Sequence, residues 1–154
     1  MPELKLEVVH TLTEIQQALS VRRAVFIEEQ GVSEEEEIDA HDGDPARMTS
    51  AVHVVVYLDG QPVATGRLLL DTMPPEHAHI GRVAVLAQHR GRGCGRAVML
   101  ALQDEARRRG YPGITLAAQL RAIAFYERLG YVARGEVFFD ASIEHRWMDL
   151  QFDG

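Results

Sequence analysis

A glycine- and arginine-rich loop, Gln88-His89-Arg90-Gly91-Arg92-Gly93-Cys94-Gly95-Arg96, follows a stretch that reads as a strand, Ala78 to Val85, and opens one with helical spacing, Arg96 to Arg109. Glycine lets a backbone approach a ligand closely and adopt dihedrals closed to other residues. Successive N–H groups at a helix N-terminus cradle an anion, reinforced by the helix dipole. Arginines add charge-assisted contacts to a polyphosphate. The ligand expected here is anionic and phosphate-bearing. It is not held by a Walker A loop, because Gly95 is followed by Arg96-Ala97 rather than Lys-Ser/Thr. Nor is this the dinucleotide fingerprint, because Gly91, Gly93 and Gly95 are spaced G-x-G-x-G. A plain strand–helix turn with surface arginines is the competing reading of the loop taken alone.

The remaining pattern predicts a mixed α/β sheet, part parallel and part antiparallel. Leu4, Leu6 and Val8 alternate as a first strand; Thr13 with Gln16 reads as a capping box for a helix that fades before Gly31. Ala51 to Leu58 and Val63 to Leu70 flank a hairpin signal at Asp59-Gly60. Ile114 to Ala118 reads as a short buried strand, Ala122 to Leu129 as a short helix, and Tyr131–Phe139 with Glu144–Leu150 as a closing antiparallel pair. The chain has 154 residues, one domain's worth at about 100–200 residues each, and no linker or repeat divides it. Its single cysteine excludes an intrachain disulfide and a Cys-rich zinc module. No apolar run approaches a membrane span and the N-terminus, Met1-Pro2-Glu3-Leu4-Lys5, lacks a signal-peptide pattern, so a cytoplasmic protein is expected.

Charge is unevenly placed. The net charge is −7, yet Glu28 to Asp44 holds nine acids and no Lys or Arg, while Arg82 to Arg96 holds four arginines and no acid. This asymmetry suggests a cation-attracting edge beside an anion-attracting loop. Glu34 to Glu37 taken alone read as solvated surface. A nucleic-acid surface is disfavoured by the overall acidity. Asp39, His41, Asp42 and Asp44 lack the spacing of a calcium loop, because Asp44 is followed by Pro45, so no metal is expected.

The span Gln88 to Gly93 has the pattern Q-x-x-G-x-G and resembles the acetyl-CoA loop of the GNAT (Gcn5-related) N-acetyltransferases. Downstream, Gln119-Leu120-Arg121-Ala122-Ile123-Ala124-Phe125-Tyr126-Glu127-Arg128-Leu129-Gly130-Tyr131 is similar to that family's N-x-x-A-x-x-F-Y-x-x-x-G-F helix, with Gln119 for asparagine and Tyr131 for phenylalanine. Arg23 to Val32, followed by Asp39 and Asp42, and the tail from Phe139 to Met148 resemble the ElaA-like and YjcF-like subgroup. The resemblance implies a GNAT acyl-CoA N-acyltransferase fold. It implies that the backbone of Arg90, Gly91, Arg92, Gly93, Cys94, Gly95 and Arg96, with Gln88, grips the pyrophosphate. It also implies that Val83, Ala84 and Val85 pair with the pantetheine arm, near Gln119.

The implied chemistry is direct acetyl transfer from acetyl-CoA to a primary amine. Proximity supplies much of the rate. A backbone N–H, that of Val85 by resemblance, meets the oxyanion. Tyr126 is the expected proton donor to the departing sulfur. Glu28 and Glu29 are the candidate bases, with Asp39, Asp42 or His53 as alternatives, and Phe26, Gln30 and these same acids are expected to meet a cationic acceptor. His89 is a further alternative. Cys94 reads as a small residue beneath the pyrophosphate rather than a nucleophile. Two other readings stand beside this one, an acyl-CoA-binding sensor without turnover and an acyl-homoserine-lactone-synthase-like enzyme. The partners expected are acetyl-CoA and an amine, with no nucleic acid or membrane, in a monomer or homodimer.

Overall fold

The computed structural model describes residues 3–153; Met1 and Pro2, part of the N-terminal stretch read above, and Gly154 lie outside them. The elements in order are β1 (Leu4–Val8), α1 (Leu12–Arg22), α2 (Glu34–Glu37), β2 (Ala51–Leu58), β3 (Gln61–Leu69), β4 (Ala78–Val85), α3 (Cys94–Arg108), β5 (Gly113–Gln119), α4 (Ile123–Arg128), β6 (Val132–Asp140) and β7 (Ile143–Gln151). They form one seven-stranded sheet, ordered β1-β2-β3-β4-β5-β7-β6. Every neighbouring pair is antiparallel except β4 and β5, which are parallel. This is the mixed α/β sheet expected from the sequence.

The valine run of β2 follows from cover on both faces. Val54 and Val56 pack with Val98, Met99 and Leu102 of α3, whereas Val55 packs with Ile15, Ala18 and Leu19 of α1. α3 and α1 therefore cover opposite faces. Contact on the α3 side is close. A Cβ on Gly66 of β3 would stand 2.5 Å from Val98 Cγ1 and 3.1 Å from Leu102 Cδ1. Gly66→Ala is expected to lower stability by about 1–3 kcal/mol, because α3 must shift away from the sheet. Urea unfolding measures this, and an unchanged midpoint would count against so tight a seat for α3.

Three local features differ from expectation. The capping box that opens α1 is Thr11 with Glu14, not Thr13 with Gln16. Glu14 accepts from the N–H groups of both His10 and Thr11, and its charge favours the helix N-terminus. α1 then widens into a π-helical segment, Arg23–Glu29, which packs Val25 and Phe26 against Ala84 of β4 and Ala141 and Ile143 at the β6–β7 turn. α3 begins at Cys94 rather than Arg96, because Gly93, at φ +84°, makes the helix N-cap two residues earlier.

The parting of β4 and β5 positions the site. They pair only at Ala78 with Ile114 and His79 with Thr115, although β4 runs on to Val85 and β5 to Gln119. The cause lies in β4. Thr65 pairs with Ala84 and Arg67 with Gly81, so Gly66 alone stands opposite Arg82 and Val83. Such a bulge bends and twists its strand. It holds Arg82 at φ +53° and turns the end of β4 away from β5.

Candidate active site

A cleft of about 760 Å³ fills the gap. Its floor is Gly81 to Val85 of β4; its walls include Phe26 of the π segment and Gln30 that caps it, Phe125 and Tyr126 of α4, and the turn after β6. Antiparallel ladders alternate the direction of their backbone groups. Leu86 donates its N–H to the Val63 carbonyl, so the Val85 N–H and C=O turn to the opposite edge, the side of the cleft.

The loop after β4 meets the needs of a phosphate ligand. Gly91 at φ +80° and Gly93 at φ +84° have open space where a side chain would stand. Gly93 has no side-chain oxygen to cap α3, so first-turn amides remain unpartnered by a cap. Nδ1 of His89, beside this end of the cleft, is buried without a hydrogen-bond partner in the protein. The residues present thus fit a bound diphosphate. Cys94 is buried, and burial pushes its thiol pKa up, which is the wrong direction for a nucleophile. Gln88 and Arg92 are exposed and do not line the cleft, whereas Arg96 does.

Several candidates have other occupations. Glu29 forms a two-point pair with Arg90, at 2.8 and 2.7 Å, and the Arg90 Nε donates to the Val85 carbonyl at 3.0 Å. Arg90 thereby ties the π segment to the loop. Its hydrogen bond holds the Glu29 pKa below the usual range, the wrong direction for the base expected there. Glu28 is exposed and does not line the cleft. Gln30 accepts from Gln119 Nε2 at 2.8 Å, so these two amides bridge the π segment and the end of β5.

Asp39, Asp42 and His53 do not line the cleft, correcting their expected place against the acceptor. Asp42 accepts from Arg22 at 2.6 and 2.9 Å and from Arg67 at 3.0 Å. Asp39 accepts from Arg67 at 2.8 Å through both oxygens. His53 Nε2 donates to the His41 carbonyl at 2.8 Å, and burial lowers its pKa. These side chains belong to an ion network beneath α1. The acid of that network that reaches the cleft is Glu37, which sits with Arg82 and pairs with Arg22 at 2.9 Å. Glu37 is buried, contrary to the solvated reading of Glu34 to Glu37; Glu34, Glu35 and Glu36 are exposed as expected.

Tyr126, the donor that the resemblance implies, lies in α4. Its ring meets Phe125 edge-on at 5.0 Å and Tyr131 at 5.8 Å, and it faces the cleft. Burial pushes its phenol up to about 12, so it keeps its proton at neutral pH. His145 of β7, which the sequence reading passed over, also lines the cleft.

A splayed parallel pair within a seven-stranded mixed sheet, beside a glycine-capped helix, defines an acyl-CoA N-acyltransferase fold. The chain belongs to the acetyltransferase (GNAT) family, whose model matches residues 15–131. It is 37% identical over 136 residues to YjcF of Bacillus subtilis, described as an uncharacterized N-acetyltransferase, covering 88% of this chain and 91% of that protein. The crystal structure of an acyl-CoA N-acyltransferase from Pseudomonas aeruginosa superimposes with a TM-score of 0.78 at 31% identity, covering 96% of this chain and 99% of the other. Escherichia coli ElaA does so with a TM-score of 0.79 at 25% identity, again covering 96% and 99%. These likenesses support the ElaA-like and YjcF-like subgroup. Among the described residues no helix is long and apolar enough to cross a membrane.

Proposed function

We propose that the protein transfers the acetyl group of acetyl-CoA directly to a primary amine, either a small cationic amine or the amine of a peptide or protein. The observation that carries this reading is the juxtaposition, in one cleft, of the freed β4 edge, the glycine-capped start of α3 and the Tyr126 hydroxyl. Acetyl-CoA supplies the acyl group as a thioester. The amides from Gly91 to Arg96 bind its diphosphate, with the helix dipole adding to the attraction. Main-chain groups of Val83 and Val85 pair with the pantetheine arm, the backbone of Ala84 between them being turned to Thr65 of β3, and the Gln119 amide lies across the cleft from them. The Val85 N–H stabilises the negative charge that develops on the carbonyl oxygen during attack. Tyr126 gives its proton to the sulfur as the C–S bond breaks. Glu36 and Asp140, acids that line the cleft and form no ion pair among the described residues, favour an acceptor that carries positive charge.

Thiol release from acetyl-CoA, followed across a panel of small amines, amino sugars and peptides, tests the reading. Turnover with at least one amine is expected, together with heat of binding for acetyl-CoA alone. Binding with no thiol release from any amine would replace the enzyme with a sensor; no binding would remove both.

A further inference from the structure

We infer that His145 is the proton acceptor for the acceptor amine. The assignment rests on the acetyl-transfer reading and supplies the base which that reading lacks. Its first support is the tautomer. Nδ1 of His145 lies 2.7 Å from the Ile143 carbonyl, and a carbonyl oxygen only accepts, so the neutral ring carries its hydrogen on Nδ1. Nε2 then holds the lone pair. The ring is 8% exposed and lines the cleft; Phe138 stacks against it at 5.8 Å and fixes its plane. Among the described residues no side chain hydrogen-bonds Nε2 and no ion pair engages the ring. An imidazole pinned through one nitrogen, with the other open to a cleft, is built to take a proton.

The second support is its side of the sheet. His145 pairs with Gln119 across β5 and β7, and directly opposite residues share a face. Leu116 and Ala118 of β5 and Met148 of β7 pack in the α3 layer, so Gln119 and His145, at the other parity, face the α1 layer. Gln119 confirms the parity through its bond to Gln30, which caps the π segment. Tyr126 packs in the α3 layer. The gap between β4 and β5 therefore has a phenol on one side and an imidazole on the other. An amine arriving from the α1 side, past Glu37 and Arg82, meets His145 before the reacting carbon; the sulfur leaves toward Tyr126.

Proton balance closes. The ammonium of the acceptor gives one proton to His145 Nε2, and the neutral nitrogen then attacks the thioester carbon. The C–S bond breaks as Tyr126 protonates the sulfur, and the phenolate recovers a proton from the product nitrogen. Imidazolium returns its proton to solvent, so one proton is released per amide formed. The charged and titratable groups facing the same cleft are Tyr126 of α4, Asp140 at the end of β6, Glu36 and Glu37 of α2, Arg82 of β4, His89 and Arg90 of the loop, Cys94 and Arg96 of α3, and Arg121 and Arg128 around α4.

His145→Asn tests the assignment, since its amide replaces the donor to the Ile143 carbonyl but accepts no proton. With an alkylamine that wild type acetylates, kcat is expected to fall about 10²–10⁴-fold and the acidic limb of the kcat/KM profile to move up toward the pKa of the amine itself, because only the already neutral amine then reacts. Acetyl-CoA affinity is expected to stay unchanged. With an aromatic amine, unprotonated at neutral pH, the variant is expected to approach the wild-type rate. An unchanged limb, or an equal loss with both acceptor types, overturns the assignment. Should that variant not fold, His145→Gln replaces it, and nitrogen-15 NMR of the wild-type ring decides independently: Nδ1–H is required, and Nε2–H refutes the base whatever the activity. Absence of any turnover by the wild type removes the transfer reading itself, and the assignment with it.

Discussion

Replacing Arg22 with methionine is expected to lower the unfolding free energy by about 3–5 kcal/mol, although the two side chains have similar length. Arg22 is 1% exposed and donates to Glu37, to both oxygens of Asp42 and to the Glu37 carbonyl. Removing it leaves two buried carboxylates with fewer partners, and the uncompensated charge rather than lost packing sets the cost. The deficit is expected to depend on pH. Burial opposes ionisation of Asp42, but the hydrogen bonds and charge of Arg22 hold its pKa below the usual aspartate range. The stability that this depression carries is present above the unfolded value and is lost as pH falls through the folded one. Glu37 works in the other direction, because burial raises its pKa against the pull of Arg82 and Arg22. Without Arg22 both carboxyls take up protons more readily in the folded state. The gap between variant and parent is therefore widest at neutral pH and narrows as the pH falls toward about 4. Urea titrations at pH 7 and pH 4 measure both. A deficit below about 1 kcal/mol, or one that widens in acid, would show that the network does not hold α1 as described.

Tyr126→Phe is expected to lower kcat by about 10²–10⁴-fold, the usual range for one positioned acid, while leaving acetyl-CoA affinity nearly constant. The substitution removes one oxygen and keeps the ring that contacts Phe125 and Tyr131. Among the described residues that oxygen has no hydrogen-bond partner, so little stability should be lost with it. Thiol release under saturating amine, alongside calorimetry with acetyl-CoA, separates the two effects. Equal losses in binding and turnover would make Tyr126 part of the cofactor wall and not a proton donor. The contrast with Tyr131 is informative. Its hydroxyl is already spent on Gln103 at 2.8 Å, so a neighbouring phenol of the same type is structural.

The legible part of this protein was local. Each strand of the sheet, the hairpin at Asp59-Gly60 and the glycine loop declared themselves through contiguous residues, because backbone conformation at Gly91 or Gly93 depends on its own chain neighbours. Tyr126 was legible through a contiguous stretch too, the Gln119 to Tyr131 run that resembles the family's helix. The splay was not legible. It depends on a bulge at Arg82 and Val83, where one glycine of β3 faces two residues of β4.

Acid and base assignment divided along the same line. By composition Glu29, Asp39, Asp42 and His53 were as good as any other candidates, and nothing near them in sequence says which arginine each will meet. Arg90 reaches Glu29 across 61 residues, Arg67 reaches Asp39 across 28, and Arg22 reaches Asp42 across 20. His145 became a candidate only when β7 paired with β5 and set it opposite Gln119. The sequence by itself determined the glycine turn that opens α3, because such a turn carries its amides wherever the chain goes. Only the tertiary structure decided which ionisable groups remain free for chemistry, because solvation and charge pairing are properties of neighbours in space.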